Sequence, residues 1–161
     1  RWYGERGIPY RRGYLFHGPP GTGKTSLVAA LASELRLPVY VASLASARLS
    51  DQALAEALAC AAPQSALLLE DVDAAFVHRQ AAGAGGSGGG LSFSGLLNAI
   101  DGVAAQEGRM LFMTTNHPER LDPALVRPGR VDVRMVLAHC TPAQVRAYCQ
   151  HFYGERLTEA E

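Results

Sequence analysis

The chain has 161 residues, 48% hydrophobic and 19% charged, the size and balance of one globular domain with a sizeable core. Fifteen lysines and arginines offset fifteen aspartates and glutamates, so bulk charge gives no pull toward nucleic acid or an anionic membrane surface. Cys60, Cys140 and Cys149 are too few and too irregularly spaced for a disulfide framework or a zinc ribbon, and no apolar run approaches the roughly 18 residues of a membrane span. No signal peptide is visible, while the start at Arg1 leaves room for an anchor or targeting segment upstream.

Short apolar runs alternate with helical stretches. Tyr14 to His17 reads as a strand, followed by a glycine-rich turn and a helix carrying Leu27, Leu31 and Leu35 at four-residue spacing. Val39 to Ala42 is a second strand, Asp51 to Cys60 a helix behind the N-cap Ser50, and Ala66 to Leu69 a third strand. The segment 81–90 is almost entirely glycine and alanine and is expected as a mobile loop within the domain. A helix around Leu96, Leu97 and Ile100 leads to strands at Leu111 to Thr114 and Val133 to Leu137. The last helix opens at Thr141 and Pro142, and Val145, Tyr148, Cys149 and Phe152 should form its buried stripe. That stripe accounts for Cys149 better than a metal cluster with Cys140, His139 and His151, whose spacing matches no zinc pattern. Strands and helices in this alternation imply an α/β fold with a parallel sheet covered on both faces.

Gly18-Pro19-Pro20-Gly21-Thr22-Gly23-Lys24-Thr25 has the glycine, four-residue, glycine-lysine-hydroxyl spacing of a phosphate loop, and it joins a strand to a helix. Glycines let the backbone wrap a phosphate with its N–H groups inward, and the helix adds the positive end of its dipole. Lys24 should reach the outer phosphates, Thr25 should offer its hydroxyl to magnesium, and Ser26 is grouped with them at the helix start. Phosphoryl transfer also needs carboxylates to hold the metal and polarise the attacking water. Ala66-Leu67-Leu68-Leu69-Glu70-Asp71 supplies two at the carboxyl end of a buried strand, where open α/β sheets bind ligands. Asp73, two residues further, could also serve in this role, although it reads more readily as a solvated or helix-capping acid.

Met113-Thr114-Thr115-Asn116 places an amide just past a strand, and residues 116–132 read NHPERLDPALVRPGRVD. With the phosphate loop and the acidic strand, this block resembles the second region of homology of AAA ATPases over nearly the whole chain. The resemblance implies an AAA large subdomain of the P-loop NTPase class, with a five-stranded parallel sheet between helices and most of the small helical lid absent. It implies that Asn116 orients the attacking water or contacts the γ-phosphate. Arg127 and Arg130 match the arginine fingers, which act on the nucleotide of the adjacent subunit and neutralise charge spread over the transferring oxygens. ATP or ADP with magnesium, and a homo-oligomeric ring, follow from the same likeness. A guanine-reading N-K-x-D signature is absent.

Residues 6–15, RGIPYRRGYL, residues 69–76, LEDVDAAF, and residues 93–103, FSGLLNAIDGV, resemble more narrowly the Bcs-type mitochondrial AAA chaperones. That family moves the folded Rieske iron–sulfur protein across the inner membrane during assembly of respiratory complex III, with an upstream membrane helix and its own middle domain. The resemblance places the ATPase domain on the matrix side. Most AAA members end the acidic strand with aspartate then glutamate, whereas this chain has Glu70 then Asp71. By position Glu70 takes the magnesium side and Asp71 the water-polarising side, although adjacent carboxylates can trade roles. Residues 43–51, SLASARLSD, carry no aromatic to grip a threaded polypeptide, which fits a folded protein client.

The resulting organisation is an AAA core over residues 1–153, with 18–25 and 66–71 as its Walker A and B segments and 113–132 as the second region of homology. Residues 154–161 begin a truncated lid or tail. Two other classes compete with a ring ATPase: a nucleotide-gated scaffold with little hydrolysis, and a DNA-handling ATPase. The full set Lys24, Glu70, Asp71, Asn116, Arg127 and Arg130 argues against the first. The second calls for basic stripes with interleaved aromatics, and Arg11-Arg12 is the only dense basic run.

Overall fold

A computed structural model describes residues 12–46, 49–74, 90–104 and 108–154. Readings that rest on residues 1–11, on Ala75 and Phe76, on the glycine-rich segment 81–89 and on 155–161 lie outside these residues. In chain order the elements are β1 (Arg12–His17), α1 (Lys24–Glu34), β2 (Val39–Ser43), α2 (Asp51–Ala59), β3 (Ala66–Glu70), α3 (Phe93–Ala104), β4 (Met110–Thr115), β5 (Val133–Val136) and α4 (Pro142–Tyr153). The five strands form one sheet in the order β2-β3-β4-β1-β5, and every neighbouring pair is parallel.

Alternation along β3 explains how the sheet is covered. Leu67 and Leu69 face one side and pack with Leu54 and Leu58 of α2 and Leu96 and Ile100 of α3. Ala66 and Leu68 face the other and pack with Val28 and Ala32 of α1 and with Phe16 and Phe112. A strand buried on both faces needs a continuous apolar run, which is what residues 66–69 provide. Tyr14 stacks on Phe112 across the β1–β4 pair, with ring centroids 5.0 Å apart.

Helix starts follow local chemistry. Ser50 caps α2 by accepting the Ala53 N–H, as its position before the apolar stripe predicts. Thr141 and Gln144 form a reciprocal capping box at the start of α4, with Pro142 in its first turn. Asp51 joins two helices: its carboxylate accepts the backbone N–H and hydroxyl of Ser92, and the Ser92 oxygen accepts the Gly95 N–H at the start of α3.

The leucine spacing in α1 marks a helix, whose buried residues are Lys24, Val28 and Ala32; Leu27 packs half-buried against the core, and Leu31 and Leu35 are 37% and 51% exposed. One expectation about a helix face is corrected. The stripe of α4 is not buried: Val145, Tyr148, Phe152 and Tyr153 are exposed and only Cys149 is half-buried. Tyr148 and Phe152, one turn apart, stack on each other instead. Helical periodicity identifies residues that share a face, but what covers that face is decided by where the helix lies.

Arg109, just before β4, is a structural residue that sequence patterning passes over. The residue is 5% exposed, and its guanidinium donates to the carbonyls of Leu58, Ala61 and Ala62 at and beyond the end of α2. Arg109→Ala leaves the Ala61 carbonyl without this donor, while Leu58 keeps the Ala61 N–H and Ala62 keeps the Ser65 hydroxyl, and is expected to cost about 1–3 kcal/mol. Urea unfolding should show a lower midpoint with an unchanged slope, and an unaltered midpoint would remove Arg109 from the supports of this helix.

Candidate functional site

Because the strands are parallel, the carboxyl ends of β1, β3 and β4 lie side by side, and each carries part of the predicted site. From β1 the chain enters Gly18 to Gly23. Gly21 and Gly23 have φ of 77° and 87°, left-handed values that turn the backbone around the loop. Gly18 has φ of 145° and lies so close to the Leu137 carbonyl that a Cβ would collide with it. Helix α1 then begins at Gly23 with no side-chain cap and no acidic residue in its first turn, leaving its N-terminal dipole for an anion. The Thr22 hydroxyl closes the loop onto the Pro19 carbonyl at 2.9 Å.

Four predicted residues from distant parts of the chain meet here in two pairs. Lys24 is buried, and its ammonium donates to the carbonyls of Gly18 and Pro19 and to Asn116 Oδ1 at 2.8, 2.8 and 2.7 Å. The phosphate-loop lysine and the amide beyond β4 are therefore direct partners. Thr25 donates to Glu70 Oε1 at 2.5 Å, bringing together the two oxygens expected near magnesium. Pro20 and Ser26 are exposed on the same loop and helix start.

Asp71 follows Glu70 with φ of 52°, a left-handed conformation uncommon outside glycine and one that turns the chain off the strand. Burial pushes its carboxyl above the ordinary aspartate range, the negative charges of Asp73 and Glu70 push it further, and Lys24 pulls it back. Asp73 is neither solvated nor exposed. It is 8% exposed, and its Oδ1 accepts the hydroxyl of the fully buried Thr115 at 2.6 Å. Sequence reading missed this because the partner lies 42 residues away on another strand.

The arginine segment is anchored by Leu125 and Val131, which are buried in the core, and by Asp132, whose carboxylate accepts the N–H groups of Gly13 and Gly129. The two arginines differ. Arg127 is exposed, with no ion pair among the described residues. Arg130 forms a two-pronged pair with Asp101 of α3, Nε and Nη2 each 2.7 Å from a carboxylate oxygen, and also donates to the Ala124 carbonyl. Hydrogen bonding to Asp101 raises its pKa above the usual arginine value against a partial burial cost. The expected pair of fingers thus divides into one exposed cation and one held by an acid of the same chain.

A glycine loop leading from a parallel strand into an uncapped helix, with a lysine inside and acids at the end of a neighbouring strand, defines an α/β protein of the P-loop NTPase class. Residues 14–138 match the ATPase family associated with various cellular activities, AAA, and the chain belongs to that family. It is 55% identical to the probable mitochondrial chaperone bcs1 of Schizosaccharomyces pombe, an alignment covering 96% of this chain and 34% of the relative. Identity to the mitochondrial chaperone BCS1 of Homo sapiens is 53%, over 95% of this chain and 38% of the relative, and to that of Bos taurus 52%, over 98% and 39%. The chain thus spans about a third to two-fifths of the length of these relatives.

Replacing Asp73 by asparagine removes one of the two negative charges that hold the Asp71 carboxyl up. The Asp71 pKa should fall toward the ordinary value in Asp73→Asn, as followed by carboxyl carbon shifts in an NMR titration. An unchanged midpoint would leave burial and the Glu70 charge as the causes of the shift.

Proposed function

We propose that this chain is the ATP-hydrolysing AAA domain of a ring-shaped chaperone, and that each active site is shared between two subunits. The observation that carries the reading is the Lys24–Asn116 contact, which joins the phosphate loop to the amide expected beside the γ-phosphate. Lys24 and the backbone of Gly18 to Thr25 bind the phosphates of ATP. Asn116 and Asp71 orient the attacking water, and the ionised Asp71 carboxylate draws on its proton.

Magnesium suits the donors present. The Thr25 hydroxyl and Glu70 carboxylate are hard oxygens already within 2.5 Å of each other, with Asp71 next in the chain, and an ion that keeps waters and phosphate oxygens in its shell needs few protein ligands. Bound there, magnesium would neutralise charge on the outer phosphates. Arg127 is the cation free to reach a neighbour's nucleotide, whereas Arg130 must leave Asp101 to do so. Similarity to mitochondrial chaperones supports a chaperone role and a mitochondrial setting. A folded client, the Rieske protein entering complex III, with the ATPase domain on the matrix side of the inner membrane, is the fullest form of the proposal.

Steady-state ATP hydrolysis should rise per subunit with protein concentration, and Arg127→Ala should lower kcat by about a thousandfold or more without weakening nucleotide binding. Mixing Arg127→Ala with Lys24→Ala should restore part of the activity, since the second variant lends its arginine to the intact phosphate site of the first. No recovery together with concentration-independent turnover would sink the shared site, and nucleotide binding without turnover at any concentration would favour a scaffold.

The acid side of the kcat profile offers another check. Asp71 acts as a carboxylate and its pKa is raised, so activity should be full above that pKa and fall as pH drops through it, at higher pH than for an ordinary aspartate. An acid limb at the ordinary aspartate pKa or below would remove Asp71 from the water-activating role.

A further inference from the structure

The ends of β3 and β4 are tied by a pair of contacts that the site described above does not use. The Val72 N–H donates to the Thr114 carbonyl at 3.0 Å, and one residue further along each chain Asp73 Oδ1 accepts the Thr115 hydroxyl at 2.6 Å. The Thr115 oxygen then accepts the backbone N–H of His117 at 2.9 Å. Direction matters in this relay. An ionised carboxylate can only accept, so the single hydroxyl proton of Thr115 is committed to Asp73 and its lone pairs are left for His117. Both side chains are nearly or fully sealed from solvent, at 8% and 0% exposure, so bulk water competes little for these bonds.

The residues bracketed by this clamp are Asp71 and Asn116. Asp71 lies two residues before Asp73, in a left-handed turn closed by the Ala74 N–H on the Asp71 carbonyl at 2.8 Å. Asn116 lies between Thr115 and His117, at the centre of the turn that the relay closes, with its side-chain oxygen on the Lys24 ammonium. We propose that Asp73 is a positioning residue for hydrolysis: through the Thr115 hydroxyl it fixes the turn that aims Asn116, and so sets the spacing between Asn116 and Asp71. The inference rests on the hydrolytic reading proposed above. Because Asp73 acts on aim rather than on phosphate binding, its loss separates turnover from affinity, unlike the loss of a purely structural contact.

The test uses the full chain with Thr115→Val, which keeps the side-chain shape without the hydroxyl, Thr115→Ser, which keeps the hydroxyl, Asp73→Ala, and the double variant Asp73→Ala with Thr115→Val. Thr115→Val and Asp73→Ala should each lower kcat about tenfold or more while the Kd for ATP stays within about threefold. Thr115→Ser should recover most of the turnover, and the double variant should be no worse than either single one, because both break the same relay. Hydrogen exchange at the His117 amide should quicken in Thr115→Val and Asp73→Ala and stay protected in Thr115→Ser. Parallel losses of kcat and ATP affinity, additive effects, or an unchanged His117 exchange rate would overturn the proposal. If the natural chain proves inactive, the hydrolytic reading falls by itself, while the exchange rates still decide whether the clamp holds the Asn116 turn.

Discussion

Burial of β3 and β4 on both faces fixes where the carboxyl ends of the strands meet, and every feature of the site depends on that edge. With helices packed on each side, a slip of one residue in either strand would exchange its two apolar faces, so the register is held by the core itself. Leu69 of β3 opposite Met113 of β4, and His17 of β1 opposite Thr115, are the pairings that bring Glu70, Asn116 and the phosphate loop within reach of one another. The polar residues add direction to a frame set by apolar packing.

Within that frame the site is an alternation of bound charges. Lys24 sits among three oxygen acceptors, Glu70 accepts from Thr25, Asp73 accepts from Thr115, and Arg130 is held by Asp101. Asp71 is pushed toward its neutral form by burial and by like-charged neighbours, so it ionises less readily than an ordinary aspartate. Membership of the AAA family sets these features in a class of ATPases, and the similarity to mitochondrial chaperones BCS1 extends across nearly all of this chain.

The arginine segment shows how one motif divides. Arg127 and Arg130 are three residues apart, yet one is exposed and the other is paired with Asp101 of the same chain. Asp101 lies on α3, whose N-terminus is capped by Ser92 under the carboxylate of Asp51. Hydrogen-bonded side chains therefore tie α3 to the start of α2 at one end and to the arginine segment through Asp101.

The sequence by itself determined what is local in chemistry. The phosphate loop, the Ser50 and Thr141 caps, the apolar run ending in Glu70 and Asp71, and the five strands are set by residue type and short spacing, and they stand where they were expected. Tertiary structure alone decided which faces are covered and which distant polar groups meet. Val28 and Ala32 of α1 enter the core while Leu31 and Leu35 stay exposed, and the apolar stripe of α4 is exposed as well. Asp73 finds Thr115, Arg109 finds the end of α2, and Arg130 finds Asp101. A period or a motif records relations between near neighbours in the chain, whereas each of these contacts spans 29 to 51 residues and exists only once the sheet has placed its elements.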